Sequence, residues 1–388
     1  MDFIDGLRVE DLAPVRIKAE LLSSGVSLSP SFIEQYGPPF LEKRRAYGNS
    51  DDLIYQNVTV PQELYLGPSK VVCSVNIRSA SEWILDFDGD YIVRNKLRRG
   101  ALPVTFPYRP CFYEENLKNG ARANSIATLY GGGALGVFVY GSCALVQENL
   151  ACQYCSIQAN RLKQTEFEEV VRPVQIYEVV KAALVADGDL ITQVMINGGN
   201  FKDSDKSFKY YIEICAQARA ALDELGSNAE LHLIAYPPAD FSLFVELAKF
   251  DVSLAMNSEV FDPVIFKKVC PGKDQQYLRS ALFEAVKVFG RGKVYSILVG
   301  GLEPLDSLRR GMMALANGGV TPIINVFHPD PGTPLEHHCA PTVADIMEMG
   351  ALLQDVYSLH DFMTPFYSGC GRNAIDTEAY LKLFKEIK

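Results

Sequence analysis

Long apolar runs are missing from these 388 residues. The longest, such as Leu135 to Tyr140, fall far short of the ~20 residues a membrane-spanning helix needs. A leader-like start is missing too: MDFIDGLRVEDLAPVRIK carries acids where a secretory signal is basic. No membrane partner is expected, and the expected location is cytoplasmic. There is also no excess of positive charge, with 37 Lys and Arg against 47 Asp and Glu, a net charge of -10. Phosphate backbones are gripped by clustered basic side chains, so a nucleic-acid partner is not expected. Paired cysteines are scarce as well. The nine cysteines are an odd number spread over the chain with one close pair, unlike a secreted disulfide framework. Reduced thiols, some of them metal ligands, fit better. Internal repeats and low-complexity tracts are absent.

What is present is the composition of a folded enzyme, 48% hydrophobic and 22% charged, long enough for one or two domains. Two textures divide it. Residues 1–130 are rich in Pro, Gly, Tyr and short strand-like runs, among them Lys70–Ile77. A hairpin is predicted from Trp83–Phe87 and Tyr91–Arg94, joined by the turn-forming Asp88-Gly89-Asp90. Tyr130-Gly131-Gly132-Gly133 marks a boundary. Beyond it, strands alternate with helices. The strand candidates are Leu135–Tyr140, Thr192–Asn197, Glu230–Ala235, Val252–Asn257, Lys293–Val299 and Thr321–Phe327. Helical periodicity runs through Ser207–Leu225, with Phe208, Ile212, Cys215, Ala218, Leu222 and Leu225 on one face. Six β-then-α units predict an α/β fold: a partial (β/α)6 TIM-like barrel of parallel strands over 131–335. A mixed, strand-containing extension precedes it over 1–130. Two further helical patterns, Val343–Leu359 and Thr377–Ile387, make a C-terminal helical extension over 336–388.

In parallel barrels the loops after the strands carry the chemistry. The first strand runs into Gly-Ser-Cys143, and after eight intervening residues comes Cys152-Gln-Tyr-Cys155, a C-x-x-C pair. Three thiolates suit an iron–sulfur cluster. The loop alone leaves other readings open. A C-x-x-C is also a redox pair, or half of a zinc site whose partners would come from His337-His338-Cys339 or Cys370.

The order of motifs from Leu135 to Pro334 resembles the radical S-adenosylmethionine (SAM) superfamily, in the style of its biotin synthase and tyrosine-lyase branch. The resemblance implies a 4Fe-4S cluster on Cys143, Cys152 and Cys155, with SAM chelating the remaining iron. Tyr154 precedes the last cysteine, where the family packs the adenine. Asn197-Gly198-Gly199-Asn200 is similar to the Gly-Gly-Glu motif that receives the methionyl ammonium. Asn257-Ser258-Glu259 and Arg279 stand where the branch contacts ribose and methionyl groups. Ser296-Ile-Leu298-Val-Gly300-Gly-Leu-Glu303 is similar to the fifth-strand motif, which places Leu298 and Gly300 at the cofactor. His328-Pro-Asp-Pro-Gly-Thr-Pro334 is a familiar turn after the sixth strand.

Two departures stand out. Asn200 replaces the motif's usual Glu. Glu148 occupies the place of the first cysteine in the common C-x3-C-x2-C spacing, so Cys143 has to serve through a longer loop, or Glu148 itself is the third ligand. The resemblance implies a radical SAM enzyme that takes hydrogen from a small polar metabolite. Rearrangement, elimination, oxidation or cyclisation follows, and an external electron donor such as flavodoxin or ferredoxin is needed. Cys370 and His328 are the candidates for groups that touch the substrate. The competing readings are a degenerate, non-catalytic barrel that binds metal or nucleotide, and a thiol-redox protein built on Cys152 and Cys155.

Overall fold

The computed structural model describes residues 8–36, 62–68, 71–107, 109–159 and 169–385. Two sheets organise these residues. The N-terminal one contains β1 (Ser27–Leu28), β2 (Glu63–Leu66), β3 (Val71–Ser74), β4 (Trp83–Asp88), β5 (Asp90–Asn95) and β6 (Ala101–Thr105), in the order β1-β4-β5-β6-β2-β3. It is antiparallel except for the parallel β1–β4 pair. The predicted hairpin is β4–β5, closed at Asp88 and Asp90 around Gly89, whose φ of 80° belongs to the left-handed region that glycine enters freely.

The second sheet holds β7 (Ala127–Tyr130), β8 (Ala134–Phe138), β9 (Gln193–Asn197), β10 (Glu230–Ile234), β11 (Val252–Ala255), β12 (Val294–Gly300) and β13 (Thr321–Val326), neighbours in sequence order. The six predicted strands are β8 to β13, all parallel. Leu135, Val194, Leu231, Leu254, Leu298 and Ile324 are buried in the main core, which the helices on the outside share. Two covered faces are what give these strands near-continuous apolar sequence. The helix Ser204–Glu224 begins three residues earlier than its periodicity predicts, because Asp203 caps it by accepting the Lys206 N–H.

Three features depart from the sequence-based expectation. β7 pairs antiparallel with β8, so the glycine run is a hairpin turn inside the sheet and the 130/131 line falls within it. Added Cβ atoms at Gly131 and Gly132 would come within 2.2 Å of Cys370 and of the Tyr65 hydroxyl, so the run is glycine because other chain segments press against it. The helix expected over Thr377–Ile387, whose last two positions lie outside the described residues, is the short Asp376–Tyr380, and Lys382 turns the chain at φ 62°. Phe384 then packs on Gly350 of the helix Val343–Ser358.

The third departure completes the barrel. A six-strand parallel barrel leaves a lateral gap, here between β13 and β7. Residues 366–376 fill it as a strap. Asn373 and Ile375 bond to Val326 and Ile324 on the β13 edge, at 2.9 and 3.2 Å. On the other edge the Arg372 guanidinium lies 4.5 Å from the centre of the Tyr130 ring. The Lys18 ammonium, from the helix Pro14–Ser24, holds the strap from outside through Gly371 O (3.1 Å), Ala374 O (2.7 Å) and Glu378 (2.7 Å). The N-terminal region and the C-terminal extension therefore meet on the open side of the barrel. Among the described residues no helix is long and apolar enough to cross a membrane.

Candidate functional site

The cysteine loop leaves the C-terminal end of β8 and is pressed onto the turn that follows β9. Gly199 donates its N–H to Tyr140 O, and Asn200 O accepts from Ala144 N, both at 2.8 Å. A Cβ at Gly199 would sit 1.6 Å from Ser142 O, so only glycine lets the Cys143 segment come this close. The Tyr211 hydroxyl binds Gly199 O at 2.8 Å. The glycine pair thus positions the cysteine loop, a role that its motif alone does not reveal. Asn200 is half-buried and contributes its carbonyl to the same contact.

Cys143 and Cys152 are buried and Cys155 partly so, and Cys155 is in electrostatic contact with both others. Burial pushes the Cys155 thiol up to about 12. Cys152 is different. A hydrogen bond from the Cys270 thiol, helped by the Lys273 ammonium and opposed by burial, brings it down to about 7. Donating that bond, together with burial, raises Cys270. Neither Cys270 nor Lys273 was visible as a site residue in the sequence. They lie in Cys270-Pro-Gly-Lys273, after the helix Pro263–Val269, and no spacing ties that segment to Cys152. Contact between the two loops is tight: Gln153 donates to Val269 O at 2.8 Å, and a Cβ at Gly272 would meet Leu150 O at 2.7 Å.

Glu259 follows β11 with φ 61°, fixed by backbone bonds to Ile297 O and from Val299 N. Its buried carboxylate pairs with Lys273 at 2.7 Å and accepts from the Tyr154 hydroxyl. Burial disfavours the Lys273 ammonium, but its negative neighbours, Cys152 first and then Glu259, outweigh it and hold the group well above its ordinary range. The structure does not bring Arg279 into this group. Its guanidinium sits 4.9 Å from the Phe261 ring and shares an outer crevice with Ser258 and Gln275. Leu298 pairs by backbone with Glu259, its side chain in the main core. Gly300 faces Met349 of the helix Val343–Ser358, where a Cβ would come within 2.5 Å of sulfur. Glu303 binds the backbone N–H groups of Phe261 and Asp262, both at 2.9 Å, and so shapes the Glu259 turn. Glu148 lies outside the thiol group, paired with Lys202 at 3.2 Å and 39% exposed.

Inside the barrel a cavity of about 430 Å³ runs from the cysteine loop to the strap. Tyr154 and Cys155 line it on one side, Cys370 and Arg372 on another, with Asn197 and His328 between. His328 and Asp330 share a 2.7 Å hydrogen bond, His328 half-buried and Asp330 buried. The Cys370 thiol donates to Gln193 Oε1 at 2.9 Å, and burial holds it well above the ordinary thiol range, so it stays protonated. Both substrate-facing candidates, Cys370 and His328, therefore stand in one wall system with the cysteine loop.

Among the described residues no three Cys, His, Asp or Glu side chains are gathered closely enough to hold a single ion. Three thiols on one loop suit a multi-iron cluster, whose ligands are spread over separate irons. Asn257 adds a polar group that a ligand could satisfy: its Oδ1 is buried with no hydrogen-bond partner among the described residues. The donor set fits a cluster with a polar co-substrate beside it.

No protein-family profile matches the chain. Bacteriochlorophyllide c C-7(1)-hydroxylase of Chlorobaculum limnaeum is 34% identical over 140 residues, 33% of this chain and 34% of that one. The match thus spans about a third of the curated relative's length. A radical SAM methyltransferase from Sphaerobacter thermophilus overlays 90% of this chain and 93% of its own, at 13% identity and TM-score 0.44. Methylornithine synthase overlays 64% and 71% at 15% identity and TM-score 0.43. The [FeFe]-hydrogenase maturase HydG overlays 62% and 55% at 12% identity and TM-score 0.46. What decides is the motif series, each member at the end of its own parallel strand. The chain resembles radical SAM enzymes. Enzymes of that superfamily hold a 4Fe-4S cluster and SAM, and the cysteine loop here leaves the first parallel strand, as the resemblance implies.

Proposed function

We propose that the chain is a radical SAM enzyme acting on a small polar metabolite within the barrel. The observation that carries this reading is the single cavity whose wall contains both Tyr154 and Cys155 of the cysteine loop and the polar groups Asn197, His328 and Arg372. When bound, the cluster and SAM supply a 5′-deoxyadenosyl radical. The protein's part is to hold and shield. Cys143, Cys152 and Cys155 ligate the iron. Tyr154 offers a ring to the adenine from the cavity wall. Glu259, paired with Lys273, offers acceptors to ribose hydroxyls, and Gly198, Asn200 and Asn257 offer polar groups to the methionyl end. The strap closes the gap between β13 and β7 and keeps bulk water out of the cavity, where a reactive carbon would otherwise be quenched. An external one-electron donor, such as flavodoxin or ferredoxin, completes the requirement. The test is anaerobic reconstitution with iron and sulfide, then SAM and dithionite. About four irons per chain and formation of 5′-deoxyadenosine are expected. Zinc uptake without sulfide incorporation, or a cluster that leaves SAM intact, would overturn the reading.

The placement of charge near Glu259 gives a second expected outcome. Lys273→Met strands a buried carboxylate, a loss of about 3–5 kcal/mol in stability, and should weaken SAM binding. Arg279→Ala removes a cation–π contact of about 0.5–1 kcal/mol and should leave SAM affinity unchanged. Calorimetric titration of SAM into the reconstituted variants reads both. Normal affinity in Lys273→Met with loss in Arg279→Ala would return Arg279 to the site.

A further inference from the structure

We propose that Cys152 and Cys270 form a disulfide when the cluster is absent, a modification that withdraws one cluster ligand. The bond itself stands whether or not the chain performs radical chemistry. Only its consequence for iron uptake rests on reading Cys152 as a ligand.

The geometry comes from the two loops. The Gln153 N–H to Val269 O bond, 2.8 Å long, fixes the backbones side by side. Cys152 and Cys270 are the immediate neighbours of those two residues, and their thiols are hydrogen-bonded to each other. Both sit in one small apolar cluster with Val260, Phe266, Val269 and Leu278. Gly272, whose Cβ would lie 2.7 Å from Leu150 O, lets the two loops pack this closely. A disulfide brings its sulfurs to about 2.05 Å, so thiols already in hydrogen-bond contact have a short approach left to make. The pair is long-range in sequence, which is why it is absent from any spacing motif. It also competes with the C-x-x-C pair: the thiol partner of Cys152 in the fold is Cys270, not Cys155.

In the oxidation two S–H bonds break and one S–S bond forms. The two protons and two electrons pass to an azo oxidant, diamide, whose N=N bond becomes a hydrazine.

The full chain, purified without cluster, is treated with diamide, alkylated with iodoacetamide and digested without reduction. Mass spectrometry should find the peptide carrying Cys152 linked to the peptide carrying Cys270. The link should vanish in Cys152→Ser and persist in Cys155→Ser. Diamide-treated wild type should then take up at most about a tenth of the iron that it takes up after dithiothreitol. Cys270→Ser should keep its iron uptake after the same treatment. A Cys152–Cys155 disulfide, alkylated Cys270 in the oxidised wild type, or equal loss of uptake in Cys270→Ser would each overturn the assignment. Absence of 5′-deoxyadenosine from the reconstituted enzyme would instead strike the functional reading and leave the disulfide result intact.

Discussion

Cys152→Ala and Cys155→Ala should each yield protein with no stable cluster and no cleavage of SAM, and Cys143→Ala should do the same. Glu148→Gln should keep the cluster and at least part of the activity. The contest between Cys143 and Glu148 sets ligand type against spacing. Carboxylate is a poor ligand for iron in such clusters, whereas thiolate is the usual one. The longer loop from Cys143 costs only about 1 kcal/mol in closure entropy, since that cost grows with the logarithm of length. Side-chain placement agrees. Cys143 is buried and in electrostatic contact with Cys155, while Glu148 is engaged by Lys202 on the outside. Visible absorption and iron content after anaerobic reconstitution decide the matter. A cluster retained in Cys143→Ala but lost in Glu148→Gln would show that spacing rules.

Lys18→Met should destabilise the fold by about 3–5 kcal/mol, because it leaves a buried carboxylate without its cation. Lys18 is 1% exposed and its partner Glu378 4%, and the same ammonium also satisfies the carbonyls of Gly371 and Ala374. The double variant Lys18→Met/Glu378→Leu should recover a large part of the loss, since replacing both members by apolar groups removes the stranded charge. Urea unfolding of the cluster-free protein reads both, without reference to activity. Equal stability of Lys18→Met and wild type would mean that the strap is held by its β13 pairing alone.

The parallel half of the fold was legible because its strands are buried on both faces and its helices on one, so apolar runs and periodic faces alternate. The β4–β5 hairpin was legible from Asp88-Gly89-Asp90. The strap was not. Residues 373–375 pair with an edge strand through backbone groups, which leave no side-chain pattern, and their position depends on Lys18 at the other end of the chain. At the site, the motif series led to Glu259 and Tyr154, which the fold places together. It led to Arg279 only through spacing. That residue lies on the helix Gln275–Phe289 against Phe261, while the cation that meets Glu259 is Lys273, just ahead of the helix. Gly199 and Gly300 were legible as glycines with a purpose, but the purpose is a close approach to Ser142 and to Met349, which only packing reveals.

The hold of Lys18 on the strap also has a consequence for biosynthesis. Its three partners lie 353, 356 and 360 residues further along the chain. A ribosome delivers the cysteine loop long before it delivers Gly371, Ala374 or Glu378. Until then the nascent barrel has an open flank, and the cavity behind it faces solvent. Contacts this far apart are also slow to form, because the intervening chain must be ordered first. A chain stopped before residue 366 would carry every cysteine of the loop yet lack one wall of the cavity. Closure of the cavity only after the strap has been made is the order of events that this architecture favours.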